Sequence, residues 1–169
     1  CLFLLWLAGS TPALAAVAAL ALFGTLGAPN CFSADQPASG PNVIQQENAR
    51  EGATDWQLTR VRLDKSDGCR SPAIEGYCSK QSVAAGEKLQ IMVSTQPAER
   101  FHIEIFRTGY YGGRGARLMT TLGPFAGQPQ PVPTPNERTL HECRWEPATE
   151  LTIPADWPSG VYLGRLSTL

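Results

Sequence analysis

The distribution of charge along the chain is the feature that most constrains its fold. The 169-residue sequence carries no charged side chain before Asp35, and residues 1–28 are apolar apart from Gly, Ser, Thr and Pro. Because an α-helix rises about 1.5 Å per residue, roughly 20 helical residues cross the hydrocarbon core of a bilayer. We therefore predict that residues 1–28 form a transmembrane helix or a signal segment. The bulk of the chain is then extracytoplasmic, either membrane-anchored or secreted.

The pattern leaves open whether this apolar segment is cleaved or retained. Residues 25–27 (TLG) form an acceptable small-x-small cleavage site, but the apolar run is longer than that of a usual signal peptide. The chain also opens on Cys1 and stops at Leu169 within a strand-like run, which is typical of a fragment.

Bulk composition excludes several classes of function. The net charge is −1, so there is no basic field to attract nucleic acid, and we expect no nucleic-acid partner. The five cysteines show no CxxC spacing, which argues against a zinc knuckle. In an exported chain two of Cys69, Cys78 and Cys143 would form a disulfide, and the sequence does not choose among the three pairs.

The remaining sequence divides into a linker and one β domain. Residues 29–54 are rich in Pro, Ser, Gly, Gln and Asn, which predicts a flexible linker. Residues 55–169 contain short runs in which apolar and polar residues alternate, the period of a half-buried strand. The predicted strands are residues 58–63, 73–79, 89–93, 101–106, 118–122, 138–145, 151–153 and 161–166. Short strands separated by turn signals predict an all-β, Ig-like antiparallel sandwich.

One tyrosine supports the sandwich prediction. Tyr162 opens a strand directly after the corner formed by residues 153–160. This is the place of the tyrosine corner in Ig-like sandwiches, where the hydroxyl bonds back to upstream backbone. In that role the strand of Tyr162 is the sixth of seven, so we expect the sandwich to be incomplete at its C-terminus, with an unpaired edge.

The most unusual motif is residues 109–117 (GYYGGRGAR). Its glycines would let the backbone approach a ligand or a neighbouring domain, with tyrosines and arginines making the contacts. The simpler interpretation is a strand connection with positive φ at two or three glycines. The candidate interface or ligand residues are Gly109, Tyr110, Tyr111, Gly112, Gly113, Arg114 and Arg117.

Other combinations of reactive residues are weaker. His102 and Glu104 share one face of a strand and with Glu142 or His141 would offer metal ligands, but no ligand spacing supports a metal site. His141 and Cys143 also share a face, yet an exported cysteine is more often bonded or buried than catalytic. No catalytic signature is present, so we predict no catalytic, cofactor or metal residue in this chain.

Several long motifs resemble one family. They are residues 55–59 (DWQLT), 74–79 (IEGYCS), 105–113 (IFRTGYYGG), 145–147 (WEP) and 156–162 (DWPSGVY). They are similar to the leading domain of proteins related to the large (beta) subunit of N,N-dimethylformamidase. The resemblance covers nearly all of residues 55–169 and none of the first fifty.

The resemblance implies a function for a longer protein rather than for this chain. In that family an iron held by tyrosine and glutamate side chains hydrolyses a small formamide, and the ligands belong to a large C-terminal domain. The chain would then be the non-catalytic N-terminal accessory domain, with that C-terminal domain as its partner and no cofactor of its own. The alternative is a stand-alone, membrane-anchored Ig-like binding or adhesion module.

Overall fold

The chain folds mainly into β-strands. The structure is a computed structural model that describes residues 42–58, 71 and 73–169, together with the backbone of residues 2–8. Eight strands, one short α-helix and one 3-10 turn are present in these parts of the chain. The elements are β1 Leu2–Ala8, α1 Val43–Asn48, β2 Ile74–Cys78, β3 Ser82–Ala84, β4 Lys88–Thr95, β5 Arg100–Thr108, the 3-10 turn Tyr111–Gly113, β6 Ala116–Ala126, β7 Pro147–Thr152 and β8 Gly160–Thr168.

The strands form two sheets. One has the order β3-β1-β8-β5-β6 and the other the order β2-β4-β7. Every pairing is antiparallel except that of β1 with β3, which is parallel. Because β5 and β8 lie inside the larger sheet, they position the loops at both of their ends.

The two sheets share one apolar core. On β5, Phe101, Ile103 and Ile105 are fully buried, whereas His102 and Glu104 between them are only half-buried on the outer face. This alternation is expected of a strand in a sheet that has one buried and one solvent-exposed face. The core also includes Ile74, Val83, Leu89, Ile91, Val93, Leu151, Ile153, Tyr162 and Leu166. The prediction of a mostly β fold is confirmed.

Most predicted strands are present with longer bounds, but two regions differ. Residues 138–145 contribute only a single bridge, between Pro135 and His141, because residues 127–146 form a loop around a turn at Asn136. Residues 42–54, within the predicted flexible linker, include α1 and a segment held against the sheet. The predicted strand at residues 58–63 lies almost wholly outside the described residues.

The described part of the apolar N-terminal segment is strand β1, and the assignment of residues 1–28 as a transmembrane helix or signal segment stays a prediction. Residues 2–8 are extended rather than helical, because they hydrogen-bond to the edge of β8 and thereby satisfy their backbone groups in a sheet. Residues 9–41 lie outside the described residues. Among the residues that the structure describes, no helix is long and apolar enough to cross a membrane.

Tyr162 makes the hydrogen bond that a tyrosine corner requires. It is fully buried, and its hydroxyl donates to the carbonyl oxygen of Pro158 at 2.6 Å. Its ring stacks on Trp157 with a centroid separation of 5.1 Å. Burial raises the pKa of Tyr162, so the hydroxyl keeps its proton and remains a donor.

We expect Tyr162→Phe to destabilise the domain by about 1 kcal/mol, because the carbonyl of Pro158 loses its donor while the ring packing is kept. The midpoint of thermal unfolding measures the effect. Tyr110→Phe is the matched control, since Tyr110 is exposed and should leave the midpoint unchanged. Equal midpoints for wild type and Tyr162→Phe would contradict a structural role for the corner.

Candidate functional site

The glycine-rich loop connects β5 to β6 and is built from turn geometry. Gly112, Gly113 and Gly115 all have φ between +65° and +86°, a region that residues with a side chain rarely adopt. Tyr111 has a φ of +42°, which is unusual for a residue with a side chain. The glycines therefore serve to reverse the chain, and Tyr111 must be held in place by its contacts.

The two tyrosines of the loop point in different directions. Tyr111 is only 2% exposed, whereas Tyr110 is 69% exposed. The hydroxyl of Tyr111 donates to Glu47 Oε1 at 2.8 Å and accepts from Arg107 Nη1 at 2.9 Å. The backbone N–H of Tyr110 donates to Asn48 Oδ1 at 2.9 Å. The loop is thus fastened to α1.

Helix α1 brings the acidic partner of Tyr111. Asn42 caps the helix by accepting from Gln45 N, and the Gln45 side chain accepts from Asn42 N, both at 2.9 Å. This capping box satisfies two free amide groups and allows a helix of only six residues. Glu47, 4% exposed, lies at the last turn and points at the loop.

Glu47 is held by three cationic or hydroxyl side chains. Arg117 Nε donates to Glu47 Oε1 at 2.8 Å, and its Nη2 lies 2.7 Å from the same oxygen. Arg50 Nε lies 3.3 Å from Oε2. Burial alone would raise the pKa of Glu47, but hydrogen bonds from Arg117 and Tyr111 and the charges of Arg117 and Arg50 outweigh it, so the pKa is lowered. The carboxylate is therefore ionised and saturated with donors at neutral pH.

Tyr111 is neutral in this cluster. Burial is the largest cause that raises the pKa of Tyr111, and the neighbouring Glu47 carboxylate raises it further, although Arg107 acts in the opposite direction. Arg107 also donates from Nη2 to the carbonyl oxygen of Ser159 at 2.9 Å, which joins the loop to the start of β8. The cluster of Glu47, Arg107, Tyr111 and Arg117, named here the buried cluster, thus connects α1, β5, β6 and the β7–β8 connection.

Residues 42–58, named here the strap, then cross the outer face of the larger sheet. Ala53 N donates to the carbonyl oxygen of Ala116 at 2.8 Å, and Trp56 Nε1 donates to that of Arg114 at 2.8 Å. Arg165 Nη1 donates to the carbonyl oxygen of Asp55 at 2.7 Å. An open cleft of about 450 Å³ lies between the strap and the sheet.

The reactive residues of the outer face are also engaged in contacts. Arg165 Nε donates to Glu104 Oε2 at 2.8 Å, and His102 Nε2 lies 3.6 Å from the same oxygen. Arg144 pairs with Glu142 at 2.8 Å on an exposed loop, and His141 Nδ1 lies 3.1 Å from the carbonyl oxygen of Pro133. The structure therefore does not bring Glu142 or His141 into a group with His102 and Glu104. Within the described ranges, no three His, Cys, Asp or Glu side chains are grouped to hold a metal ion.

The cysteines are only partly described. Cys78 and Cys143 do not bond to each other, and Cys69 lies outside the described residues. Burial raises the pKa of the Cys78 thiol to about 12, which keeps it protonated and unreactive at neutral pH. The two pairs that include Cys69 stay predictions.

The sequence located the loop but not its principal partner. The loop residues that turn inward are Tyr111 and Arg117, while Tyr110, Gly112, Gly113 and Arg114 are exposed. Glu47 was missed because it lies in a stretch of polar residues and meets Tyr111 across 64 positions. The capping box at Asn42 and Gln45 was the one local signal that α1 was present.

The fold and the buried cluster define a two-sheet β domain whose unusual loop is fastened to its own N-terminal strap. Residues 102–168 match the model of the family described as N,N-dimethylformamidase beta subunit-like, C-terminal. Over these residues the match confirms the resemblance to that family. The description names the C-terminal part, so a position ahead of a catalytic domain stays a prediction. Comparisons with curated proteins and with solved structures gave no match.

Proposed function

We propose that the chain is the non-catalytic N-terminal accessory domain of an exported or membrane-anchored N,N-dimethylformamidase-like protein. That protein would be a metal-dependent amidohydrolase whose catalytic domain lies outside these 169 residues. The observation that carries the proposal is that the loop of residues 109–117, which resembles the family, makes its buried contacts within this chain. Tyr111 and Arg117 bind Glu47 of the same chain. Their role is to stabilise the fold.

The buried cluster does not suit the iron that the family implies. Tyr111 and Glu47 are of the residue types that hold iron in that family, and their oxygens are 2.8 Å apart. However, Arg50 and Arg117 contact the carboxylate, and Arg107 contacts the tyrosine hydroxyl. A cation placed between these guanidinium groups would meet strong repulsion. We therefore assign iron binding to the separate catalytic domain.

An Ig-like sandwich fold fits the same proposal. The bond from Tyr162 to Pro158, two facing sheets and an interior position of β8 are features of an Ig-like sandwich. Sandwiches of this kind present their connecting loops at the ends, where neighbouring domains dock. The exposed Tyr110 ring projects from such a loop and offers an aromatic anchor for the catalytic domain.

The decisive experiment compares two polypeptides in one assay. The 169-residue chain and the uninterrupted product of the same reading frame are each supplied with ferrous iron and N,N-dimethylformamide, and dimethylamine is measured. We expect release only from the longer product. Release by the 169-residue chain alone would overturn the non-catalytic assignment. A reading frame that closes after one further strand would overturn the accessory-domain proposal in favour of a stand-alone binding module.

A further inference from the structure

Strand β1 fills a slot inside the larger sheet. Residues 2–7 are the antiparallel Cα partners of residues 160–165 on β8, and residues 6–8 are the parallel partners of residues 82–84 on β3. In the described part of the chain, β3 joins this sheet only through β1. Since Val83 of β3 is buried in the core, the slot between β3 and β8 must hold a strand for the sheet to be continuous.

The sequence of β1 is unusual for this slot. Its seven residues, LFLLWLA, are apolar at both alternating sets of positions. Phe3 and Leu5 are the Cα partners of the buried Gly164 and Tyr162. The alternate positions, Leu2, Leu4 and Trp6, are the Cα partners of Arg165, Leu163 and Val161, which are half-buried on the outer face. A strand with one wet face normally alternates, whereas continuous apolarity is typical of a segment surrounded by apolar groups on all sides.

The same residues begin the apolar stretch that extends to residue 28. Even without β1, residues 9–28 are 20 uncharged residues, enough to cross a bilayer as a helix. A single crossing would put residues 2–8 on one side of the membrane and residues 42–169 on the other. Residues 2–8 inside the bilayer would be helical, since a lone strand cannot satisfy its backbone there. In neither case can they pair with β8.

We infer that pairing of β1 with β8 and insertion of the N-terminal segment into a bilayer exclude one another, so that a lipid bilayer withdraws β1 and opens the slot between β3 and β8. The inference rests on the membrane-anchored form of the proposed function. The opened slot leaves the backbone of β8 unpaired on the side that β1 occupied.

A disulfide across the slot reports its state. Leu4 and Leu163 are Cα partners, so Leu4→Cys with Leu163→Cys places two thiols within bonding distance when β1 is paired. Leu118→Cys with Leu4→Cys is the matched control. Leu118 and Leu163 are both partners of Phe106 on β5, so Leu118 lies three strand spacings from Leu4, about 14 Å.

The full 169-residue chain is synthesised in a cell-free system with or without phosphatidylcholine vesicles. Flotation measures vesicle binding, and mass spectrometry of non-reduced peptides measures the 4–163 bond. We expect the bond to form without vesicles and to fall about tenfold in the floated fraction, with no 4–118 bond in either.

Three outcomes would overturn the inference, and they have different causes. Absence of the 4–163 bond without vesicles means that β1 does not occupy the slot in solution. Failure to float removes the membrane-anchored form of the proposed function together with the inference. A floated protein that keeps the 4–163 bond preserves the anchoring and rejects the exclusion, and it would leave the accessory-domain assignment unaffected.

Discussion

Replacement of Glu47 by alanine is expected to lower the free energy of unfolding by about 3 kcal/mol, because removing one partner leaves a buried ion pair uncompensated. The side chain is 4% exposed and accepts from both Tyr111 and Arg117. Without it, the Tyr111 hydroxyl and the Arg117 guanidinium lose their acceptor. Urea unfolding followed by tryptophan fluorescence measures the loss.

Glu51→Ala is the matched control for Glu47→Ala. Glu51 lies in the same strap but is exposed, so its removal should leave the urea midpoint unchanged.

The pH dependence of the stability gives a second check on Glu47. Because the folded-state pKa of Glu47 is lowered from 4.5, its contribution is complete above that pH and is lost as the pH falls through the lowered pKa. The free energies of unfolding of wild type and Glu47→Ala should therefore converge in acid. A difference that stays constant with pH would contradict a role for the charge of Glu47.

Replacement of Gly52 by valine is expected to detach the strap at a cost of about 2 kcal/mol, the usual range for overpacking a closely packed site. A Cβ on Gly52 would lie 2.7 Å from Arg114 Cβ and 2.8 Å from Tyr111 Cβ. Neither atom can turn away, because each is attached directly to backbone. The amide of Ala53, bonded to the carbonyl of Ala116, should then exchange faster with deuterium.

Thr54→Val introduces the same side chain two positions further along and serves as the control. Thr54 is exposed, so this variant should keep slow exchange at Ala53 and an unchanged urea midpoint. If Gly52→Val also left the exchange at Ala53 slow, the close contact between the strap and the loop would be contradicted.

The strap shows why part of the site lay beyond sequence reasoning. Residues 42–58 contain few large apolar residues, so nothing in their periodicity indicates a buried face. What holds them is a set of polar contacts to distant partners, such as Arg165 to the Asp55 carbonyl across 110 positions. Polar contacts of this kind depend on complementary positions in space, and neither partner carries a local signal of the other.

Most strands of the core were predicted from the alternation of apolar and polar residues, although β3 was not. In β5 the alternation of Phe101, Ile103 and Ile105 with polar residues separates the two faces of the sheet, because successive side chains point to opposite sides. Tyr162 was located in the same way, from a corner and the strand that follows it, and its bond to Pro158 spans only four positions.

Tertiary structure decided the roles of residues that sequence treats alike. Tyr110 and Tyr111 are adjacent and chemically identical, yet one is exposed and the other is buried against Glu47. Residues 2–8 likewise suit both a membrane helix and the slot beside β8. Apolarity and alternation are local properties, so they can be read from the sequence. The partner of a polar group or of a uniformly apolar segment depends instead on which surfaces the fold brings together.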